Sequence, residues 1–159
     1  MKLRKEVFLI VIPFFLSVGF ICLFLWDNEY ISKVNVKKID CLSSIEKGVK
    51  YYIDGIEVKN NKVRIEGWIY KYEPDHVNRK VLLQNIENRE EVYELNTSML
   101  QRTDLNEVYK GTNYQYCGFV ANGLLSFRMK DKKYEIIIWF NDNNENEIFH
   151  TGQICEIGR

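Results

Sequence analysis

The stretch YEIIIWF, residues 134–140, carries apolar side chains on both faces of a predicted β-strand. Successive side chains of an extended chain point to opposite faces. One face therefore carries the even-numbered residues from Tyr134 to Phe140, and the other carries Ile137 and Trp139 beside Glu135. A strand that is apolar on both faces is expected at the centre of a sheet, with protein packed on either side.

Further short strands, separated by polar turns, are predicted from residue 48 to the C-terminus. Asn60-Asn61 lies between two alternating runs and is typical of a hairpin turn, because asparagine tolerates left-handed conformations. A helical turn capped by Asp104 is predicted at 105–109. The predicted strands are 50–59, 62–72, 79–86, 91–96, 113–121, 124–129, 134–140 and 147–154. This rhythm indicates an all-β domain over 48–159, an antiparallel β-sandwich of Ig-like or jelly-roll type.

An uncharged apolar run, VFLIVIPFFLSVGFICLFLW, occupies residues 7–26. As a helix rising about 1.5 Å per residue it spans roughly 30 Å, the thickness of a bilayer's hydrocarbon core. The sequence therefore predicts a transmembrane helix that acts as a signal anchor. The alternative is a cleaved signal peptide, but the run exceeds the apolar core of about 7 to 15 residues typical of that class, and no small-x-small cleavage site follows.

The charges around this run predict the orientation of the chain. Lys2, Arg4 and Lys5 lie close to the run, and three lysines that follow it lie farther away. Because positive charge favours the cytoplasmic side, we expect residues 1–6 to form a cytoplasmic tail. Residues 27–47 are then a stalk or linker, and the C-terminal domain lies outside the cell membrane. Abundant asparagine and the single alanine, Ala121, indicate AT-rich coding and hence a bacterial source.

The overall charge argues against nucleic acid as a partner. Lys plus Arg and Asp plus Glu number 22 each. Without residues 1–26 the remainder has 19 basic and 21 acidic side chains, a net charge of −2 (22 − 3 = 19; 22 − 1 = 21). A polyanion-binding role is not expected from such a surface.

The cysteines and histidines give little indication of chemistry. Cys41 and Cys155 lie near the two ends of the folded region and are the natural pair for a disulfide, although Cys117 leaves the external count odd. The alternative is that all three are reduced and partly buried. No CxxC occurs, and neither His76 nor His150 has a paired ligand, so no metal or other cofactor is expected. No motif for a catalytic nucleophile is present, and the protein is not expected to be an enzyme.

The stretch VRIEGWIYKY, residues 63–72, places aromatic side chains on a face that begins with charge. Trp68, Tyr70 and Tyr72 share this face with Arg64, and they are the predicted ligand-binding residues. A sugar's apolar face would stack on the rings while Arg64 supplies hydrogen bonds. The structural alternative is that Trp68 folds over the core edge, with Gly67 making room for it.

Arg102 and Asp104 are predicted to form a structural latch between two groups of strands. The two residues lie two positions apart in a connection, where each can reach backbone groups or the other. Asp104 would cap the following turn, and the guanidinium of Arg102 would donate to loop carbonyls.

Several of these residues together resemble a β-sandwich module of bacterial cell-surface proteins. The resemblance is carried by Gly67-Trp68, Arg102-x-Asp104-Leu105, Gly118-Phe119 and Tyr134-x-Ile136-x-Ile138, and covers about residues 50–157. Ile69 stands where a small residue is common in that pattern, and Thr103 where proline often is. Such modules accompany glycosyltransferases and teichoic-acid-type polymerases. The resemblance implies an accessory or recognition module in envelope glycopolymer biology, with no catalytic residues to transfer.

The expected function is therefore that of a membrane-anchored, non-catalytic module that recognises a glycan or a partner protein at the cell envelope. A structural subunit of a membrane complex, without a small ligand, is the alternative from another class. A small envelope hydrolase is the third.

Overall fold

The computed structural model describes residues 11–23, 31–36, 39, 43–44, 48–71, 78–108, 116–141 and 146–158. The chain divides into two compact units, Met1–Tyr30 and Ile31–Arg159. In the first unit residues 11–23 are helical and exposed, and we call this helix α1. Of the helices in these ranges, none has both the length and the apolarity required to cross a membrane. The rest of the predicted span, 7–10 and 24–26, lies outside the described residues.

The second unit is built almost entirely from strands. Its elements are β1 (Ser32–Lys33), β2 (Ser43–Ser44), β3 (Val49–Lys59), β4 (Lys62–Lys71), β5 (Asn78–Asn85), β6 (Val92–Glu94), β7 (Asn96–Leu100), helix α2 (Thr103–Val108), β8 (Gly118–Leu124), a 3₁₀-helix (Phe127–Met129), β9 (Lys132–Asn141) and β10 (Asn146–Ile157).

These strands form two sheets. The first has six strands in the order β1-β6-β5-β9-β10-β2, and the second has four in the order β3-β4-β8-β7. Neighbouring strands are antiparallel except for β2 and β10. The predicted all-β, mostly antiparallel architecture is confirmed. The main core lies between the sheets and takes side chains such as Ile65, Phe119 and Ile136 from both of them.

Strand β9 lies between β5 and β10, which confirms the prediction that it is central. Tyr134, Ile136, Ile138 and Phe140 belong to the core between the sheets. Ile137 and Trp139 belong to a second apolar cluster, on the opposite face of the six-stranded sheet. Both faces of the strand are therefore covered, as its composition requires.

Part of the predicted stalk covers the outer face of the six-stranded sheet. β1 pairs with β6 at one edge of the sheet, and β2 pairs with β10 at the other. Between these edges Ile39 is buried in the cluster of Trp139, and Val34 and Val36 pack against it. The compact unit thus begins at Ile31, not at residue 48. We call the described residues 31–36, 39 and 43–44 the strap, since they pair with both edges of the sheet and Ile39 packs on its outer face.

Of two turns that the sequence predicts, between 59 and 62 and between 121 and 124, the structure has the first and lacks the second. Asn60 and Asn61 both have positive φ, 52° and 59°, and join β3 to β4 as predicted. The predicted break at Asn122-Gly123 is wrong, because β8 continues through both residues. A Cβ on Gly123 would collide with Ile31 of the strap, so this glycine permits close packing and does not mark a turn. The strand predicted at 124–129 is replaced by the 3₁₀-helix.

Candidate functional site

Trp68 and Tyr70, two of the predicted ligand-binding residues, lie on the outer face of the four-stranded sheet and are covered by other side chains. Val63, Ile65 and Ile69 of β4 point into the main core, so the alternate residues point outward. Trp68 and Tyr70 nevertheless are only 7% and 9% exposed, because they pack with Leu105 and Cys117 in a third apolar cluster. The rings of Trp68 and Tyr70 therefore form no open surface. Trp68 is buried, as in the structural alternative, but it packs against Leu105 and Cys117 and not over the edge of the main core. Tyr72 lies outside the described residues.

Arg64 and Gly67 have other roles than those predicted. The guanidinium of Arg64 is exposed and pairs with the carboxylate of Glu66, two positions along the same face. A Cβ on Gly67 would lie 2.5 Å from the carbonyl oxygen of Tyr52 and 3.1 Å from the ring of Phe119. Gly67 thus makes room for the backbone of β3 and for the core, not for Trp68.

Helix α2 and the residue before it provide the cover over Trp68 and Tyr70. Leu105 of α2 packs in the same apolar cluster as both rings. The stem of Arg102 lies over Gly118 of β8, where a Cβ would be 2.6 Å from Cγ of Arg102. Since Gly118 pairs with Trp68 across the sheet, the arginine stem and the tryptophan are neighbours on this face. Only glycine leaves space for that close approach.

The guanidinium of Arg102 joins helix α2 to strand β3. Nε and Nη2 donate to Oδ1 and Oδ2 of Asp104 at 2.9 and 2.8 Å, and Nη1 donates to Oδ2 of Asp54 at 2.5 Å. These charge-assisted bonds, those to Asp104 foremost, raise the pKa of Arg102, and the guanidinium in turn lowers the pKa of Asp104. Arg102 and Asp104 contact each other, but the further partner is a carboxylate on β3 and not a loop carbonyl. Asp104 lies within α2 and not at the cap position.

A β-bulge in β3 presents Asp54 to Arg102. From Lys59 back to Gly55, the residues of β3 pair with those of β4 in the register set by the hairpin turn, so that Gly55 lies opposite Glu66. The next paired residue of β3 is Ile53, which lies opposite Gly67. Asp54 is the extra residue of this bulge. Bulges redirect side chains in this way and are frequent beside binding sites.

The same bulge exposes an aromatic ring that the sequence did not indicate. Tyr52 lies opposite Trp68 and is 60% exposed, whereas Tyr51 packs inward and donates to the carbonyl of Thr151 at 2.7 Å. The aromatic side chain that β3 offers to solvent is therefore Tyr52, next to the Arg102 contacts. In the sequence, the indication of this bulge is the pair Asp54-Gly55 in the middle of a predicted strand.

We call the group of Tyr52, Asp54, Leu100, Arg102 and Asp104 the outer-face site. Leu100 of β7 is 40% exposed and pairs with Gly118. The group thus combines an exposed ring on β3, carboxylate acceptors, a guanidinium donor and, at the opposite edge of the sheet on β7, an apolar side chain. Such a set can stack against a flat apolar surface and form hydrogen bonds at its edge.

A second polar group, around Glu91, is buried at one end of the sandwich. The carboxylate of Glu91 accepts hydrogen bonds from Lys132 at 2.9 and 3.0 Å, from Tyr93 at 2.8 Å and from Asn85 at 2.9 Å, with Tyr134 at 3.4 Å. Burial by itself would raise the pKa of Glu91, but the bonds from Lys132, Tyr93 and Asn85 outweigh it and lower the pKa to about 2. Burial and the bond to Glu91 raise the pKa of Tyr93 to about 12. This group fits a structural role, because each donor is directed at the same carboxylate.

The described cysteines, Cys117 and Cys155, and the described histidine, His150, show no catalytic arrangement. Cys117 and Cys155 form no disulfide and are fully buried, and burial raises the pKa of Cys155 to about 11. Cys155 is a free cysteine, which contradicts the predicted disulfide with Cys41; Cys41 itself lies outside the described residues. Nδ1 of His150 lies 3.2 Å from Glu135 at the surface. Within the described ranges no group of three or more His, Cys, Asp or Glu side chains is placed to hold a metal ion.

Comparison with protein-family models finds no match, and a search of curated proteins finds no relative.

Proposed function

We propose that this protein is a non-catalytic binding module, anchored in the cell membrane by residues 7–26, whose external β-sandwich recognises a glycan of the envelope. The apolar run and its flanking positive charges support the anchor and its orientation. The resemblance to accessory modules of envelope glycopolymer proteins supports the class of ligand.

The order of the strands supports an Ig-like sandwich over a jelly roll. The order β3-β4-β8-β7 corresponds to strands A-B-E-D of an Ig domain, and β6-β5-β9-β10 corresponds to C′-C-F-G. Ig-like domains serve mainly as recognition modules on cell surfaces, but the fold alone does not establish a function.

The exposed ring of Tyr52 beside the Arg102 contacts is the observation that carries the glycan proposal. A sugar presents an apolar CH face that stacks on an aromatic ring, and its hydroxyls require both donors and acceptors. Asp104, whose side chain is 61% exposed, and Asp54 offer acceptors, and the guanidinium of Arg102 offers donors. The lowered pKa of Asp104 keeps that carboxyl ionised, which suits an acceptor better than a general acid.

A titration of the full-length chain in detergent tests the proposal. Soluble peptidoglycan fragments and a purified teichoic-acid-type polymer are added while the tyrosine ring signals are followed by NMR. Binding at the outer-face site shifts the Tyr52 signal, and the variant Tyr52→Ala loses about 5- to 150-fold in affinity, since one stacked ring contributes about 1 to 3 kcal/mol.

The matched control is Phe127→Ala, which removes an exposed ring from the 3₁₀-helix after Leu124, at the opposite end of β8 from Gly118. It leaves glycan affinity unchanged. If both glycans leave every tyrosine signal in place, the glycan proposal is wrong. Signals of Tyr52 that shift only with a copurifying membrane protein would identify the structural subunit instead.

A further inference from the structure

We propose that the exposed ring of Phe127 and the basic side chains around it dock the sandwich onto the anionic lipid surface of the membrane. We call Lys59, Lys62, Phe127, Arg128 and Lys130 the docking patch. The inference rests on the anchor in the proposed function, because the anchor is what brings the sandwich to a bilayer. It adds a second contact with lipid, made by the folded domain itself.

Phe127 is held in water by a loop that is firmly attached to the sandwich. Its side chain is 86% exposed, more than any other large apolar side chain that the structure describes. Just before it, the N–H of Leu125 donates to the carbonyl of Asn61 at 2.7 Å. Just after it, Met129 is fully buried in the main core. An apolar ring fixed in this way is unfavourable in water, and the interface of a bilayer would remove it from water.

Basic side chains lie around this ring. The ammonium of Lys130 is 5.8 Å from the centroid of the Phe127 ring, and Arg128, the next residue along the chain, is exposed. The hairpin turn that accepts the hydrogen bond of Leu125 is flanked by Lys59 and Lys62, which are also exposed. The patch therefore combines one protruding apolar side chain with four positive charges.

Acidic side chains offset only part of this charge. The stretches 59–62 and 125–133 hold six basic residues and one acidic residue, Asp131. Lys132 and Lys133 pair with Glu91 and Glu156. Counting these two pairs as neutral leaves four basic residues against one acidic residue, a net charge of +3 (6 − 2 − 1 = 3). Such a surface is complementary to anionic lipid, to which each basic side chain adds about fivefold in binding.

The chain enters the sandwich beside the docking patch. Ile31 is the first residue of the compact unit, and a Cβ on Gly123 would lie 2.4 Å from Cγ1 of Ile31. Gly123 is the last residue but one of β8, and the loop that carries Phe127 follows directly. Only residues 27–30 separate the predicted anchor from Ile31 in the sequence, so an anchored sandwich has to turn one of its surfaces towards lipid. The docking patch has the composition for that contact.

Docking through this patch leaves the outer-face site accessible to a glycan. Tyr52 lies seven residues from Lys59 along β3, which corresponds to roughly 23 Å in an extended chain. The ring of Tyr52 therefore stays well away from the lipid that Phe127 contacts.

Paramagnetic broadening in nanodiscs tests the docking. The full-length chain, with fluorine-labelled phenylalanine and tyrosine, is placed in nanodiscs of phosphatidylcholine and phosphatidylglycerol, some of whose headgroups carry a nitroxide. The Phe127 signal, identified by its absence in Phe127→Leu, is expected to broaden strongly, while the Tyr52 signal keeps most of its intensity. Arg128→Gln should lower the equilibrium constant for docking about fivefold, and so reduce the broadening.

Lys71→Gln is the matched control, because it also removes one positive charge but at the other end of β4 from the hairpin turn. It should leave the broadening at Phe127 unchanged. A Phe127 signal that stays sharp in these nanodiscs overturns the docking. Equal broadening in nanodiscs of phosphatidylcholine alone overturns the choice of an anionic surface.

Extraction of vesicles with alkaline carbonate separates this inference from the proposed function. Release of the full-length chain refutes the anchor, and the docking that rests on it. Retention of the chain together with a sharp Phe127 signal refutes the docking alone, and the glycan titration at Tyr52 then still tests the proposed function by itself.

Discussion

The Glu91 group makes a quantitative prediction about stability. Its hydrogen bonds lower the pKa of Glu91 from an ordinary 4.5 to about 2. Since one pKa unit corresponds to about 1.4 kcal/mol, ionised Glu91 adds at most about 3 kcal/mol to the free energy of unfolding. The side chain of Glu91 is 11% exposed, so little of this is lost to solvent screening.

The sign of the pH dependence follows from the lowered pKa. The contribution of Glu91 is fully present above pH 4.5, where the carboxyl of the unfolded chain is also ionised. It is lost as the pH falls from 4.5 towards 2, because protons then bind the unfolded chain more readily than the folded one. The variant Glu91→Gln lacks this dependence and is less stable at pH 7 by up to about 3 kcal/mol.

Urea unfolding of the full-length chain in detergent, followed by near-UV circular dichroism between pH 7 and pH 2, measures the effect. The stability difference between wild type and Glu91→Gln should shrink steadily below pH 4.5. Glu156→Gln serves as the control, because Glu156 pairs with Lys133 at the surface and contributes little. A difference that stays constant down to pH 2 would refute the reasoning.

Three further predictions concern other parts of the sandwich. Ile39→Ala should lower the free energy of unfolding, measured in urea titrations, by about 2 to 4 kcal/mol, because it removes the buried side chain that packs the strap against the cluster of Trp139. A loss below about 0.5 kcal/mol, the size of an ordinary surface effect, would show that the strap is not part of the fold. Gly118→Ala should lower the melting temperature, since its Cβ would lie 2.9 Å from the carbonyl oxygen of Leu100, whereas Gly55→Ala meets no atom within 4 Å and should change it little. In native protein at pH 8, Cys155 should resist alkylation, because burial raises its pKa to about 11, and rapid labelling would contradict its place in the core.

Much of the fold was predictable because local chemistry determines it. The Asn60-Asn61 turn fixes the pairing of β3 with β4 near the turn, since both residues adopt the positive φ that asparagine tolerates. The composition of YEIIIWF placed β9 at the centre of its sheet. The strap was missed because Val34, Val36 and Ile39 show no regular period, and only the apolar outer face of the six-stranded sheet explains them.

For the candidate site, the sequence identified Arg102 and Asp104 as partners but not the ring beside them. From the hairpin turn alone, Tyr51 would pair with Tyr70 and point outward, and Tyr52 would pair with Ile69 and point inward. The bulge at Asp54 shifts the pairing by one residue and reverses this, so that Tyr52 is exposed and Tyr51 is packed against Phe149. Sequence alternation thus determined which strands have an outer face. Only the tertiary structure decided which side chains occupy that face and that α2 covers Trp68, because a one-residue shift and a packed helix depend on contacts between residues distant in the chain.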